Sequence, residues 1–124
     1  MKNLPRISDA EWQVMEVLWE RSPLAATDAI EALSCATKWK ANTVRTLLAR
    51  LVRKGVLKVR KDGARFLYRP AFDRARYVST ESRSFLDRVF FGSAKPLLLH
   101  FAEHGRLSAS DLDELKQWLE KKEK

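Results

Sequence analysis

The sequence predicts a mainly α-helical fold with a small β-hairpin wing, in which a winged helix-turn-helix precedes a C-terminal helical region. Three observations support this fold class. Apolar residues recur at helical spacing up to Gly55, the period changes to that of strands around Asp62-Gly63, and helical spacing returns after Pro70. Helices followed by a hairpin in this order are typical of a winged helix. We expect the winged domain at residues 1–72 and the helical domain at residues 73–124.

The first helix is predicted from a capping box, in which Ser8 is the N-cap residue and Glu11 reaches back to its backbone. An apolar stripe at helical spacing follows, formed by Trp12, Val14, Met15, Leu18 and Trp19. Ser22-Pro23 is expected to end this helix, because proline disfavours helical backbone at the residue before it. A second, short helix is expected over residues 25–34 and a turn over residues 35–40.

The third helix is predicted to begin at Ala41 and to stop before Gly55, since glycine is common just past the end of a helix. Its apolar face is formed by Val44, Leu47, Leu48 and Leu51. Two short strands at residues 56–60 and 65–70 follow. Asp62-Gly63 is expected to be the central pair of the turn between them, because both positions of such a turn require positive φ angles.

Three further helices are predicted after the hairpin. Asp73 is expected to cap a long helix that runs to about Phe91, and a shorter helix is expected over residues 93–103. Ser108 and Asp111 have the spacing of a second capping box, which marks the start of the last helix.

Positive charge is concentrated in the third helix and the hairpin. The chain has a net charge of +8, and eleven basic residues lie between Lys38 and Arg69 against one acid, Asp62. Such clustering is typical of duplex DNA binding. The alternatives are a solvated charged face, an anionic membrane surface, or a winged-helix module that binds an acidic protein. No apolar run is long enough to span a bilayer and residues 1–8 lack the apolar core of a signal peptide, so we expect a cytoplasmic protein.

The N-terminal turns of a helix in the major groove face the base edges. Asn can pair with adenine, Arg with guanine, and the Thr methyl can contact thymine, so residues 41–46 are predicted to read sequence. Residues further along the helix and at the wing tip are expected to contact phosphates or the minor groove. The predicted DNA contacts are Trp39, Lys40, Asn42, Thr43, Arg45, Thr46, Arg50, Arg53, Lys61 and Arg65. The alternative for Trp39 is a staple at the helix start, and for Thr43 and Thr46 it is an ordinary hydroxyl at a helix N-terminus.

The chain resembles the penicillinase-repressor (BlaI/MecI/CopY) family over nearly its whole length. The residues that carry the resemblance are 7–12, Val14, Met15, Leu18 and Trp19 in the first helix, Trp39, 43–48, Arg50, Leu51, Lys54 and Gly55 around the third, and Asp62, Gly63, Phe66 and Tyr68 in the hairpin. The resemblance implies a homodimeric repressor, in which each winged helix reads one half of a palindromic operator in double-stranded DNA.

The resemblance also implies that the C-terminal helices of two chains intertwine. This agrees with the sequence, because the helices after Asp73 are too few to bury their own apolar stripes. The residues expected to contact a partner chain are Tyr77, Phe85, Val89, Leu98, Leu112, Leu115 and Trp118. The alternative is that these helices fold back on their own winged helix.

Some family members are released from DNA by proteolysis at an Asn-Phe bond, which implies a sensor-linked protease as a partner. His100 stands here at the Asn position before Phe101, and this departure puts cleavage at that bond in doubt. Copper-responsive relatives carry a C-terminal cysteine cluster, which this chain lacks. His100 and His104 are four residues apart but have no clear third ligand, so neither a metal site nor a cofactor is expected. No arrangement of nucleophile, base and oxyanion donor is visible, so we expect no enzymatic activity.

Overall fold

The structure, a computed structural model, describes residues 4–122, so the ends of the two predicted domains at residues 1–3 and 123–124 lie outside the described residues. The helices and strands are α1 (Asp9–Glu20), β1 (Leu24–Ala25), α2 (Ala26–Ala36), α3 (Ala41–Arg53), β2 (Leu57–Asp62), β3 (Arg65–Pro70), α4 (Arg74–Phe90), α5 (Ala94–Glu103) and α6 (Ala109–Lys122). This order confirms the predicted winged helix-turn-helix followed by helices.

The start of α1 has the predicted capping box. The Ser8 backbone N–H donates to Glu11 Oε1 at 2.7 Å, and the Glu11 backbone N–H donates to Ser8 Oγ at 3.1 Å. Helix α2 is longer at its C-terminal end than the predicted residues 25–34. Thr37 accounts for this, because both its backbone N–H and its hydroxyl donate to the Leu33 carbonyl and cap the additional residues.

Helix α3 ends in a Schellman motif, which explains the glycine at position 55. The Val56 N–H donates to the Leu51 carbonyl at 2.9 Å, and the Gly55 N–H donates to the Val52 carbonyl at 3.0 Å. Gly55 has a φ of +83°, a left-handed conformation that costs glycine little. Val56 and Leu51 are both fully buried, so the end of α3 is fixed to the core before the chain enters the wing.

The wing belongs to a three-stranded antiparallel sheet with the order β1-β3-β2. The predicted turn is displaced by one residue, because Asp62 pairs with Arg65 and the two loop residues are Gly63 and Ala64. Gly63 has a φ of +65° at the first central position, where a type II′ turn places glycine. Strand β1 was not predicted. It has only two residues, and its pairing with β3 leaves no periodic pattern in the sequence.

The contacts divide the chain into two compact units, the first ending at Thr80 and the second beginning at Glu81. The sequence predicted a boundary after residue 72. The first turns of α4 belong to the first unit because Tyr77, 1% exposed, packs among Trp12, Trp19 and Phe72. Its hydroxyl also donates to the Pro5 carbonyl at 2.8 Å.

The structure therefore corrects one predicted dimerisation residue. Tyr77 lies in the core of its own winged-helix unit and is not accessible to a partner chain. Tyr77 shares helical spacing with the later apolar positions of α4, and this spacing does not reveal what each residue faces.

The second unit is built differently. None of its described residues, 81–122, is buried, although α5 and α6 both carry apolar stripes. The predicted cap of α6 is present, since the Ser108 N–H donates to Asp111 Oδ2 and the Asp111 N–H donates to Ser108 Oγ. Hydrogen bonding of the Asp111 carboxylate to the Ser108 backbone N–H, and to the Ser108 side chain, holds the pKa of Asp111 below its ordinary value.

Candidate nucleic-acid interface

One face of α3 is anchored in the core and the opposite face is polar and exposed. The buried residues of the helix are Val44, Leu47, Leu48 and Leu51, and the helix packs against α1, α2 and β2. At 100° per residue, Asn42, Thr46 and Arg53 lie opposite this buried face. Thr43 and Arg50 lie on one flank of the exposed face, and Arg45 lies on the other.

Four of the predicted base-reading or phosphate-contacting residues line one shallow groove. These are Asn42, Thr43, Thr46 and Arg50, with Leu47 at the base. The groove runs along the first three turns of α3, and its N-terminal end lies in the part of a recognition helix that meets base edges. Arg45 is exposed but does not line this groove, so it would reach bases or phosphates from the opposite flank.

The Thr46 hydroxyl is partly committed to its own helix. It donates to the Asn42 carbonyl at 2.9 Å, which uses its single hydrogen. What remains for a ligand is the oxygen lone pairs and the methyl group. This favours apolar contact with a thymine methyl, or acceptance of a hydrogen bond, over donation to a base.

The N-terminus of α3 carries no side-chain cap. The N-cap residue Lys40 makes no capping hydrogen bond, and the first turn contains no acid. Helix α1 differs, because Ser8, Asp9 and Glu11 supply both a cap and negative charge. The free N–H groups and the positive end of the α3 dipole therefore stay open to an anion, as in phosphate contacts at helix starts.

Trp39 precedes this helix start and is half-buried against the core. Its backbone N–H donates to Thr37 Oγ1 at 3.2 Å. This packing supports its alternative role as a staple for the helix entry. Lys40, the next residue, is exposed.

The predicted wing contacts lie at and beside the hairpin tip. Lys61 and Arg65 are both exposed, and neither packs on the core. Arg65 Nη2 lies 3.8 Å from Asp62 Oδ2, an exposed pair of a kind that contributes little energy. Arg65 is therefore free to exchange Asp62 for a phosphate.

Lys54 has a different environment from the other basic residues. Its Nζ lies 2.7 Å from Glu11 Oε1 and 3.0 Å from the Arg6 carbonyl oxygen. By sequence, Lys54 belongs to the basic cluster, and its pairing with Glu11 was not predicted. No sequence pattern links residues 43 positions apart, so only the fold reveals it.

The penicillinase repressor family model matches residues 7–121. The chain belongs to the penicillinase repressor family. It is 40% identical to the penicillinase repressor of Bacillus licheniformis over 97% of this chain and 94% of that protein. It is 34% identical to the methicillin resistance regulatory protein MecI of Staphylococcus aureus (strain N315), over 94% of each chain.

A solved structure of the same family matches part of this chain. It is the monomeric form of Bacillus licheniformis BlaI in complex with the blaP half-operator, which is 42% identical to the matched part of this chain. The match covers 62% of this chain and 94% of that chain with a TM-score of 0.55. Membership in the penicillinase repressor family confirms the prediction of a repressor, not an enzyme.

The predicted cleavage region lies within a helix. His100 is exposed and Phe101 is half-buried, both inside α5. His100 stacks on His104 with ring centroids 4.2 Å apart. Within residues 4–122, no group of three or more His, Cys, Asp or Glu side chains is placed to hold a metal ion. The same residues include no helix with the length and apolar character required to cross a membrane.

Proposed function

We propose that this chain represses transcription by binding a palindromic operator as a homodimer, with α3 of each protomer in the major groove of one half-site. The observation that carries the proposal is the two-sided construction of α3. One face is buried, while the exposed face gathers Asn42, Thr43, Thr46 and Arg50 in a groove. Asn, Thr and Arg side chains are of the types that pair with base edges and phosphates.

The charge of the surrounding surface supports a polyanionic ligand. Basic residues are exposed on α3 and along the wing, at Arg45, Arg50, Arg53, Lys58, Arg60, Lys61, Arg65 and Arg69. A related repressor is solved on a half-operator, and its match covers 62% of this chain. Binding to a chromosomal operator would make the cytoplasm its site of action.

The dimeric part of the proposal rests on exposed apolar side chains in the second unit. Six of the predicted contact residues, Phe85, Val89, Leu98, Leu112, Leu115 and Trp118, are all exposed, Trp118 at 57%. Leu115 and Trp118 line an open groove with Leu107, Asp111 and Glu114. Apolar surface gathered in this way is typical of protein interfaces. A second copy of the chain would cover it and would place two copies of α3 on one palindrome.

Release of the repressor is proposed to involve a sensor-linked protease. If cleavage uses the position between His100 and Phe101, the protease must act on a bond within α5. Such a bond becomes accessible when the helix opens locally, so the rate would follow the opening equilibrium. Incubation with candidate sensor-linked proteases, followed by mass measurement of the fragments, tests this step directly.

Selection of duplexes from a random pool by the full chain tests the DNA-binding proposal. We expect an inverted repeat with half-site centres one helical turn, about 10–10.5 base pairs, or a multiple of this apart. Binding to it should weaken steeply with salt while retaining preference over a scrambled duplex. Recovery of no common sequence would contradict the proposal. Sedimentation that shows only monomer at micromolar concentration would contradict the dimeric part.

A further inference from the structure

Glu11 is a charged residue in the hydrophobic core of the winged unit. It is 1% exposed. Its Oε1 accepts hydrogen bonds from the Ser8 N–H and from Lys54 Nζ, both at 2.7 Å. Its Oε2 is buried without a hydrogen-bond partner. A capping box alone does not require a buried carboxylate, because most capping glutamates lie at the surface.

Lys54 is the C-cap residue of α3, and its side chain is only 33% exposed. The ammonium donates to Glu11 and also to the Arg6 carbonyl at 3.0 Å, so two of its three N–H groups are used inside the unit. These two contacts tie the end of α3 to the segment that leads into α1. The same segment is tied to α4, since the Pro5 carbonyl accepts from Tyr77.

The electrostatics favour a charged pair at this place. Burial opposes ionisation of Glu11, but the hydrogen bonds from Lys54 and Ser8 outweigh it and lower the pKa of Glu11 below its ordinary value. Glu11 lies in the first turn of α1 and Lys54 caps the end of α3. Each charge therefore faces the helix end whose dipole it complements.

We propose that Glu11 and Lys54 form a positioning pair, which fixes the angle at which α3 is presented to a half-site, and that Lys54 is not a phosphate contact. The inference rests on the proposed DNA binding. Buried ion pairs add little stability compared with apolar replacements, whereas some of them specify one geometry among several. The pair joins residues on α1 and α3, the two elements whose relative placement sets the direction of the exposed face.

The test uses the full chain, a duplex carrying the palindrome selected by the wild type, and a scrambled duplex of the same length and composition. The variants are Lys54→Met, Glu11→Gln, the double variant and Lys54→Arg. The controls are Arg53→Met, which removes an exposed charge one residue away, and Ser8→Ala, which removes the cap of α1 and leaves Lys54 in place. Thermal unfolding followed by circular dichroism identifies a temperature at which every variant is folded, and binding is measured at that temperature.

We expect Lys54→Met and Glu11→Gln each to lower the preference for the palindrome over the scrambled duplex by roughly tenfold, the size of one impaired base contact. The double variant should lose no more than either single variant, because the two changes remove one interaction. Lys54→Arg and Ser8→Ala should keep the wild-type preference. The plot of log affinity against log salt has a negative slope. Its magnitude should stay unchanged in Lys54→Met and should decrease by about one in Arg53→Met.

Two results would overturn the inference. If Lys54→Met weakens both duplexes equally and lowers the salt slope by about one, Lys54 contacts phosphate. If the variants change only the unfolding temperature and keep the preference for the palindrome, the pair serves stability alone. A wild-type chain that selects no palindrome would instead contradict the proposed function, so the two failures are distinguishable.

Discussion

The two units of the chain differ in what they do with their apolar residues. The unit that ends at Thr80 buries its stripes, and Val14, Met15, Leu18 and Leu51 are all inaccessible to solvent. The unit that begins at Glu81 leaves residues of the same types exposed, including Leu99, Leu112 and Leu119. Both units carry helical stripes, so the difference lies in what covers them and not in composition.

This difference separates two tasks. A unit with its own core can hold a polar face in a fixed orientation, which α3 requires if its side chains are to meet base edges. Helices with exposed apolar stripes are stabilised by association, because the apolar surface is then removed from water. We infer that the first unit binds a half-site and that the second unit joins two chains into a dimer. The following predictions test this division.

The largest expected effect is on the core beneath α3. Leu51→Ala removes a fully buried side chain near the C-terminal end of α3. The free energy of unfolding of the first unit should fall by about 2–5 kcal/mol. Urea denaturation followed by tryptophan fluorescence measures it, and the loss should be the same at low and high chain concentration. A loss that depends on concentration would place Leu51 at an interface.

The next largest effect is expected on dimerisation. Trp118→Ala removes the aromatic side chain of the groove on α6 and should weaken dimerisation by about 2–4 kcal/mol, as truncation of an interface hot spot does. Sedimentation equilibrium measures it. The matched control is Lys116→Ala on the same helix, which should leave the dimer intact. An unchanged monomer-dimer equilibrium in the Trp118 variant would refute the role of this groove.

Arg45→Ala is expected to weaken the recognition of the DNA sequence without affecting dimerisation. Arg45 is exposed on α3 at the flank opposite Thr43, so its loss should cost about 1–3 kcal/mol of palindrome affinity and relax specificity at one base position. Binding to a set of single-substitution duplexes measures this. Equal losses on every duplex would instead identify Arg45 as a phosphate contact.

The smallest effect is expected at the wing. Lys61 is exposed beside the hairpin tip. If this lysine neutralises one phosphate, Lys61→Ala should reduce the magnitude of the slope of log affinity against log salt by about 0.9. The palindrome and a scrambled duplex should weaken by the same factor. Loss of sequence preference in this variant would show that the wing also reads bases.

The sequence was sufficient wherever structure follows from local chemistry. The Ser8-Glu11 box, the stop at Gly55 and the capping of α6 by Ser108 and Asp111 were all predictable, because each depends on residues a few positions apart. The exposed face of α3 was equally predictable from the spacing of its apolar residues.

What could not be predicted depends on contacts between distant segments. Tyr77 has the helical spacing of its neighbours, yet it packs on Trp12 and Trp19 because of where α4 starts. Strand β1 exists only through its pairing with β3. Lys54 belongs by sequence to the basic cluster, but its partner lies 43 residues away.

The most direct test compares the full palindrome with a duplex of the same length in which one half-site is scrambled. The wild-type chain should bind the palindrome far more tightly, because pairing converts the second half-site contact into an intramolecular one. Trp118→Ala should lose most of this difference while its affinity for the single half-site stays the same. Equal wild-type affinity for the two duplexes would contradict the division of the chain into a reading unit and a pairing unit.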